Sequence, residues 1–409
     1  MFGFGKLRRT YMDYAGGTPL RPEARKAIED AALLYGNPGA LHEEGRHAAR
    51  SIGDSRSAIA RELGVKAHEL VFVSGGTEAN NLAILGLWKR MAQPGGGAKG
   101  THWIVSAIEH PSVLACFDHI GEMGGAVERV MPDSDGSISP ESVEALLRPE
   151  TALVSVGWGN HEVGVVQPLR AIAQRIARFN DRHGSSIALH ADAGQAPLYL
   201  SAKAHTLGVD MLSLDSSKLY GPRGVGALFV SDTMRSESGS ALAPLLLGGG
   251  QERGMRAGSE PVALAAGFAA ALTAASGERG MEAKRLEELR VSLMRTIMEE
   301  VPGAVVNGAG AKGARTPSLP HILNISIPDI SSEYVVLALD RRGVSVSTKS
   351  ACREGEESRS HVVEAMFPHA ETWRAASTVR FSLGRDTSPA DVRRTTAALR
   401  DAVEAYRAL

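Results

Sequence analysis

The sequence predicts an α/β fold: a large domain built around a mostly parallel sheet, followed by a smaller α+β domain. Short apolar runs alternate with helical segments through the first two-thirds of the chain. Apolar strands separated by helices are typical of a parallel sheet that is covered on both faces. The chain has 409 residues, more than one hydrophobic core usually fills, so two domains are expected.

The candidate strands of the large domain are short apolar runs. They cover residues 70–74, 103–107, 153–157, 187–190, 211–214 and 226–230. Helical patterns lie between them, for example over residues 77–91, 139–147 and 169–183. We therefore expect the large domain to span residues 18–274.

The remainder of the chain begins with a helical stretch over residues 259–301. Gly277 and Gly280 predict a break within it, because glycine is a poor helix former. Two strands and two helices are expected further on, over residues 323–327, 344–347, 333–342 and 389–407. These elements predict a small domain over residues 275–409, with residues 1–17 packing near it.

The charge balance argues against several classes of partner. There are 45 Lys and Arg residues against 46 Asp and Glu, a formal net charge of -1. Nucleic acids and anionic membranes attract clustered positive charge, so neither is an expected partner. No apolar run is long enough to span a bilayer, and the N-terminus does not resemble a signal peptide. Two cysteines are too few for a disulfide framework, so we expect a cytoplasmic protein in which Cys116 is a buried apolar residue.

A glycine-rich segment, residues 74–81 (SGGTEANN), follows the first candidate strand and opens a helix. The backbone N–H groups around Gly76 can converge on an anion, and the helix N-terminus adds partial positive charge. The Thr77 hydroxyl can contribute a further donor. Taken alone, the segment is explained at least as well by Thr77 acting as a helix N-cap.

Two further segments follow strands, at the sheet edge where ligands collect. Residues 190–195 (HADAGQ) carry Asp192, which can pair with a protonated ring nitrogen or cap a turn, and Gln195, which can donate to a ring oxygen. Residues 215–224 (DSSKLYGPRG) carry Lys218, which is placed for Schiff-base chemistry, although an isolated lysine is usually a surface residue. An anion loop, an Asp and a Lys, in that order and each after its own strand, describe a site for pyridoxal 5′-phosphate (PLP).

These segments and several others resemble one known family. The chain is similar to the class V aminotransferase group of fold-type I PLP enzymes and, within it, to the cysteine desulfurases of the NifS/IscS type. The strings GGGQERGMR at residues 248–256 and VRFSLGR at residues 379–385 are specific. Further matching strings lie at residues 11–15, 36–38, 74–81, 109–110, 162–164, 190–195, 218–222 and 350–352. The resemblance implies a seven-stranded type of sheet in the large domain and a PLP site without a metal ion.

The resemblance also implies a role for each matching residue. Lys218 would hold PLP covalently, Asp192 would pair with the ring nitrogen, and Gln195 would face the ring oxygen. His110 would stack on the ring and move protons. The phosphate would be held by Gly76, Thr77 and Ser217. Ser259 would reach the phosphate bound by the partner subunit, which implies a homodimer.

The implied substrate is L-cysteine, with its carboxylate on Arg380 and with His161 in contact with both cofactor and substrate. Cys352 matches the family's nucleophile. Its thiolate would attack the substrate sulfur, leaving a persulfide on Cys352 and releasing L-alanine. Lys349 and Arg353 lie on either side of it in sequence and favour the thiolate. The persulfide would then supply a sulfur-acceptor protein, such as an iron–sulfur scaffold or a sulfur carrier.

Departures from the family pattern fall close to the cofactor. Residues 215–217 (Asp-Ser-Ser) replace the usual Ser-Gly-His, and an Asp near a phosphate dianion is repulsive unless it turns away or is compensated. Residues 160–162 (Asn-His-Glu) replace Asn-Asn-Glu, and residues 348–351 also differ. Three functions therefore remain open. They are a cysteine desulfurase, which the retained catalytic residues favour; another PLP lyase, such as a selenocysteine lyase; and a catalytically weak binding or regulatory protein.

Overall fold

The computed structural model describes residues 9–91, 100–234, 242–308, 310, 316–348 and 359–408. Its strands are β1 (Thr10–Tyr11), β2 (Leu70–Val73), β3 (His102–Ser106), β4 (Ala126–Val130), β5 (Thr151–Ser155), β6 (Ala188–Asp192), β7 (Met211–Asp215), β8 (Gly226–Val230), β9 (Val305–Asn307), β10 (Ile322–Ser326), β11 (Val344–Ser345) and β12 (Thr378–Ser382). Its helices are α1 (Pro22–Ala31), α2 (Glu43–Leu63), α3 (Gly76–Met91), α4 (Pro111–Glu122), α5 (Pro140–Leu146), α6 (Leu169–His183), α7 (Ala204–Leu207), α8 (Val262–Glu300), α9 (Ser332–Arg341), α10 (His361–Met366) and α11 (Pro389–Arg407). In the described part of the chain, no helix is both long and apolar enough to cross a membrane.

A seven-stranded sheet lies at the centre of the larger part of the chain, in the order β2-β8-β7-β6-β5-β3-β4. Strand β8 runs antiparallel to both of its neighbours, and the other neighbouring strands pair in parallel. Alternate side chains enter two cores: Leu70 and Phe72 of β2 face one, and Val71 and Val73 face the other. The predicted α/β class, the mostly parallel sheet and all six predicted strands are confirmed.

Strand β4 is the member of this sheet that the apolar pattern does not reveal. It lies at the edge and pairs with β3. Its Glu128 and Arg129 form ion pairs with Arg148 and Asp118, and Val130 is its buried residue. Charged side chains are common on edge strands because they discourage pairing with other chains. An edge strand of this kind therefore lacks the continuous apolar run that marks the inner strands.

The C-terminal part of the chain contains a three-stranded antiparallel sheet in the order β12-β10-β9, with α9 packed against β12 and α11 packed against α9. The predicted strands and helices of this part are confirmed, although β11 ends two residues before its predicted end. The N-terminal segment joins this part: β1 pairs in parallel with β11, and the Ser382 N–H donates to the Met12 carbonyl at 2.8 Å. The domain boundary between residues 274 and 275 stays a prediction.

Helix α8 runs over 39 residues without a break, so the interruption predicted at Gly277 and Gly280 is wrong. Contacts on both sides of the two glycines explain the continuity. Towards one end, Gly267 lies against Ile28 of α1, and at the other Glu300 pairs with Arg400 of α11. This packing outweighs the helix penalty of about 1 kcal/mol that each glycine carries.

The start of α3 lies close to the end of β7 because Gly226 has no side chain. A Cβ atom at Gly226 would lie 2.5 Å from the Leu214 carbonyl oxygen and 2.8 Å from the Gly75 Cα. The small residue therefore lets β8 pass directly behind the glycine-rich segment. As a result, residues 74–81 and Lys218 share one edge of the sheet.

A buried ion pair fixes the loop that precedes α8. The two side-chain oxygens of Glu252 accept hydrogen bonds from the two terminal nitrogens of Arg56, on α2, each at 2.7 Å. Glu252 Oε2 also accepts from the Phe72 N–H at 3.2 Å. The side chains of Glu252 and Arg56 are only 2% and 12% exposed. The pair therefore joins α2, β2 and the loop through two charged groups that are largely shielded from water.

Replacing Glu252 by alanine is expected to lower the free energy of unfolding by about 3 kcal/mol, because it leaves the Arg56 charge buried without a counter-ion. Denaturant unfolding monitored by circular dichroism measures the change. The matched control is Asp30→Ala, which removes the exposed Lys26–Asp30 pair of α1 and should change stability by less than about 1 kcal/mol. Equal effects of the two substitutions would contradict the role given to Glu252.

Candidate active site

A cleft opens at the carboxyl ends of the central strands, where the sequence predicts a ligand site. Seven predicted site residues line it together: Gly76, Thr77, His110, His161, Asp192, Gln195 and Lys218. Other lining residues include Asn80, Glu109, Ser112, Asn160 and Asp215. Residues that are far apart in sequence meet here because parallel strands present their carboxyl ends at one edge.

Lys218 ends the short 3₁₀ turn that follows β7. Its Nζ donates to the carbonyl oxygens of Ala15 at 3.0 Å and Gly16 at 2.7 Å. Burial lowers the pKa of Lys218, although the carboxylate of Asp215 opposes the effect. Burial therefore makes the neutral amine, which is the nucleophilic form, easier to reach than it is for an exposed lysine.

Asp192 stands at the end of β6 with both carboxylate oxygens bonded. Oδ1 accepts from the Gly194 N–H at 2.8 Å, which closes a turn, and Oδ2 accepts from Asn80 Nδ2 at 2.7 Å. Each carboxylate oxygen has a second lone pair. Asp192 can therefore cap its turn and still accept a hydrogen bond from a protonated ring nitrogen.

His110 caps the N-terminus of α4. Its Nδ1 accepts from the Ser112 N–H at 3.2 Å, which assigns the ring proton to Nε2. Burial lowers the pKa of His110, so the imidazole is neutral near pH 7. Its ring meets the ring of His161 edge-on, with centroids 5.2 Å apart.

His161 occupies the position where the family pattern has an Asn. It is buried, and burial together with the neighbouring His110 lowers its pKa well below the usual range. Its Nε2 has no hydrogen-bond partner among the described residues and lies 3.7 Å from Glu162 Oε1. At a position where the family pattern has an Asn amide, the cleft therefore contains a larger, neutral imidazole with one unpaired nitrogen.

Arg380, on β12, reaches the cleft from the C-terminal part of the chain. One terminal nitrogen donates to the His161 carbonyl at 2.8 Å, and the other donates to Asp13 Oδ1 at 2.7 Å. The Arg380 side chain is 4% exposed, and its Nε lacks a partner in the described ranges. The guanidinium is thus held in place while part of its donor capacity remains unused.

Asp215 lies between the glycine-rich segment and Lys218. Its Oδ1 accepts from the N–H of Ser217 at 2.8 Å and from the Ser217 hydroxyl at 2.7 Å. Its Oδ2 accepts from the Gly76 N–H at 3.3 Å. Two groups that the sequence assigns to the phosphate, on Gly76 and Ser217, therefore contact a side-chain carboxylate.

The remaining predictions concern Ser259 and the two cysteines. Ser259 lies in an exposed loop before α8 and lines a separate surface recess with Asn37 and Pro38. Cys352, the predicted nucleophile, lies outside the described residues. Cys116 is buried, its pKa is raised to about 12 by burial, and its thiol donates to the Ser112 carbonyl at 3.2 Å, so its prediction as a buried apolar residue is confirmed.

Sequence reasoning does not assign roles to three residues of the site. Asn80 is one turn after Thr77 on α3, and this spacing could have indicated that both face the cleft. Glu109 was matched with the family, but its burial beside the Gly157 N–H is visible only in the structure. The pairing of Asp13 with Arg380 has no sequence signal, because the two residues are separated by almost the entire chain. In the described ranges, no group of three or more His, Cys, Asp or Glu side chains could hold a metal ion.

Comparison with known proteins places the chain in a family. The model for class-V aminotransferases matches residues 10–395. The cysteine desulfurase IscS of Dictyoglomus turgidum is 34% identical over 403 residues, which cover 98% of this chain and 96% of the relative. Two solved structures are also similar over most of their length. A NifS-like protein has a TM-score of 0.84 and 28% identity, covering 98% of this chain and 100% of that one. SspA in complex with cysteine has a TM-score of 0.75 and 31% identity, covering 91% and 98%.

These matches extend over both parts of the chain, and they include Asp192 at the end of β6, Lys218 in the turn after β7 and Arg380 on β12. They confirm the resemblance drawn from the sequence motifs. The chain belongs to the class-V aminotransferase family and, within it, to the IscS- and NifS-like cysteine desulfurases.

Proposed function

We propose that this protein is a PLP-dependent cysteine desulfurase, which converts L-cysteine to L-alanine and transfers the sulfur to Cys352. The observation that carries the proposal is the meeting of Lys218, Asp192 and His110 in one buried cleft, with the Arg380 guanidinium beside it. An amine, a carboxylate, an imidazole and a carboxylate clamp are the groups that this chemistry requires. Full-length similarity to IscS proteins supports the same function.

The residues of the cleft fit the proposed cofactor. PLP, when bound, supplies an electron-withdrawing ring that stabilises negative charge at the substrate α-carbon. Lys218 would hold it covalently, Asp192 would accept from its ring nitrogen, and Gln195, which donates to the Ala15 carbonyl at 3.0 Å, would stand at the ring oxygen. Thr77 and its neighbours at the start of α3 would face the phosphate, as helix N-termini do for anions.

The titratable groups around Asp192 leave its carboxylate as the negative charge that would pair with a protonated ring nitrogen of the cofactor. Glu109 is buried, and burial raises its pKa to about 8 despite a hydrogen bond from the Gly157 N–H. It is therefore protonated at neutral pH and adds no second negative charge beside Asp192. The buried imidazoles of His110 and His161 have lowered pKa values and add no positive charge.

Arg380 would bind the carboxylate of L-cysteine. Its contacts with Asp13 and the His161 carbonyl fix the plane of the guanidinium, and its Nε–H is left for a further acceptor. A planar guanidinium can bind a carboxylate through two parallel hydrogen bonds, which fixes the orientation of the bound amino acid. His161 would lie next to the same carboxylate.

Cys352 would accept the sulfur. Its thiolate attacks the substrate sulfur, an S–S bond forms and the substrate Cβ–S bond breaks, so that L-cysteine and a thiol become L-alanine and a persulfide without an external oxidant. Ser347, five residues before Cys352 in sequence, pairs with Arg380 through backbone hydrogen bonds of 3.2 and 2.7 Å. The last described residues before Cys352 are therefore hydrogen-bonded to β12, the strand that carries Arg380, the proposed carboxylate-binding residue.

The proposal includes a cytoplasmic homodimer that passes sulfur to an acceptor protein, such as an iron–sulfur scaffold or a sulfur carrier. Exposed apolar side chains support a second subunit: Leu33, Tyr35 and Leu41 are 78%, 84% and 90% exposed. Tyr35 lines the same recess as Ser259. A partner over this surface would bury the apolar residues and bring Ser259 towards the neighbouring cleft.

The test of function is alanine release from L-cysteine by PLP-loaded protein in the presence of a reductant. Cys352→Ser and Lys218→Ala are each expected to reduce the rate by about a hundredfold or more, because they remove the sulfur acceptor and the cofactor's point of attachment. Cys116→Ala is the matched control and should retain wild-type turnover, since its thiol is inert. Full alanine release by Cys352→Ser would indicate a lyase that does not use a cysteine persulfide.

Glu109→Gln is expected to change how stability depends on pH. The folded chain retains the Glu109 proton up to about pH 8, whereas the unfolded chain loses it near 4.5, so wild-type stability falls as pH rises through this interval. The contribution is up to about 1.4 kcal/mol per pH unit, and Glu109→Gln lacks it. Urea unfolding of PLP-free protein at several pH values measures the difference between the two slopes. Glu29→Gln, at an exposed position of α1, should retain the wild-type slope.

Tyr35→Glu is expected to weaken the dimer about tenfold or more, because it places a charge in an apolar interface. Analytical ultracentrifugation over a range of protein concentrations measures the change. Leu337→Glu, at a position of α9 that is 62% exposed, is the control and should leave the assembly unchanged. If both variants behave like the wild type, the surface around Tyr35 is not the dimer interface.

A further inference from the structure

The carboxylate of Asp215 lies at the start of α3, where the N-terminus of a helix would bind an anion such as a phosphate. It receives the Gly76 N–H on Oδ2 and both the N–H and the hydroxyl of Ser217 on Oδ1. The contact with Gly76 is close: a Cβ atom on Gly76 would lie 3.2 Å from the Asp215 Cβ. No gap for a second anion therefore separates Asp215 from the first turn of the helix.

The same donors serve the cofactor phosphate in the proposed function. A phosphate at this place must share the Gly76 N–H with Asp215 or displace its carboxylate, and in either case two anions come close together. Like charges in a partly buried site repel more strongly than they do in water. Neutralising Asp215 should therefore favour a phosphate.

Two cations close to the start of α3 and to Asp215 are already engaged. Arg256 donates from two nitrogens to Glu78, in the first turn of α3, at 2.9 and 3.3 Å. Lys218 Nζ donates to two carbonyl oxygens, and in the proposed function it is bonded to the cofactor. Neither of them adds a free positive charge that would offset both Asp215 and a phosphate dianion.

We propose that Asp215 is an internal competitor of the cofactor phosphate, so that it lowers the affinity for PLP without lowering the affinity for the phosphate-free aldehyde, pyridoxal. The inference rests on the proposed function, in which PLP binds at Lys218. Asp215 also caps the turn that carries Lys218. The residue thus has a structural role that explains its presence and an electrostatic effect on the cofactor.

Asp215→Asn separates the two effects. The side-chain oxygen of Asn can still accept from the Ser217 N–H and hydroxyl, so the cap remains. The second oxygen is replaced by an NH₂ group, which cannot accept the Gly76 N–H and can itself donate to a phosphate. Asp215→Ser is a second variant, because Ser is also a good N-cap and carries no charge.

The experiment titrates PLP-free protein with PLP and, separately, with pyridoxal, and follows the absorbance of the covalently bound aldehyde. Asp215→Asn is expected to bind PLP about tenfold or more tightly than the wild type, with pyridoxal affinity unchanged within about twofold. Asp215→Ser should shift in the same direction. Asp181→Asn is the control: it removes an exposed carboxylate from the C-terminal turn of α6, at the opposite edge of the sheet, and should change neither affinity.

The outcomes separate this inference from the proposed function. If both Asp215 variants form the covalent PLP complex with wild-type affinity, the carboxylate does not compete with the phosphate and the inference is wrong. If PLP and pyridoxal affinities rise together, the effect is on the position of Lys218, and the inference is also wrong. A covalent PLP complex at Lys218 should disappear in Lys218→Ala. If neither the wild type nor the Asp215 variants form such a complex, the PLP assignment itself fails, and the inference fails with it.

Discussion

The polar contacts of residues 12–16 connect the two parts of the chain at the cleft. The Met12 carbonyl accepts from Ser382, and Asp13 pairs with Arg380. The carbonyl of Ala15 accepts from both Gln195 and Lys218. One short segment thus holds groups from the central sheet and from β12 in a fixed relation, and the positions of Gln195, Lys218 and Arg380 depend on it.

Burial determines the electrostatics of the site. His190, beneath Asp192 on β6, lies between the hydroxyls of Ser155 and Ser213, and burial lowers its pKa to about 4. Glu109 is protonated and His110 is neutral for the same physical reason. Removing these charges matters because each would otherwise act on Asp192 through a medium of low dielectric constant. The cleft is therefore rich in titratable groups and poor in net charge.

The fold and the core of the site could be predicted from the sequence because both follow from local patterns. Apolar runs mark inner strands, and the residues just after them must meet at one edge of a parallel sheet, which brings Asp192 and Lys218 together. The pairing of Arg380 with Asp13 could not be predicted, since it depends on tertiary packing. The orientation of the Asp215 carboxylate could not be predicted either. The same sequence is compatible with a carboxylate that caps the turn and with one that points away from the phosphate site. Ser259 lies outside the cleft, and its role towards a second subunit stays a prediction.

The unbroken course of α8 has a mechanical consequence. At 39 residues the helix is about 58 Å long, and it packs against α1 at one end and α11 at the other. The two parts of the chain therefore cannot rotate freely about a flexible linker, and any opening or closing of the cleft must bend this helix or repack one of its ends. Nothing lies within 4 Å of the position where a Cβ would stand on Gly277 or Gly280. Glu278 and Arg279, between the two glycines, nevertheless hydrogen-bond to Arg21 at 2.8 Å and to the Pro197 carbonyl at 3.1 Å. A bend at this point would therefore have to break those contacts as well.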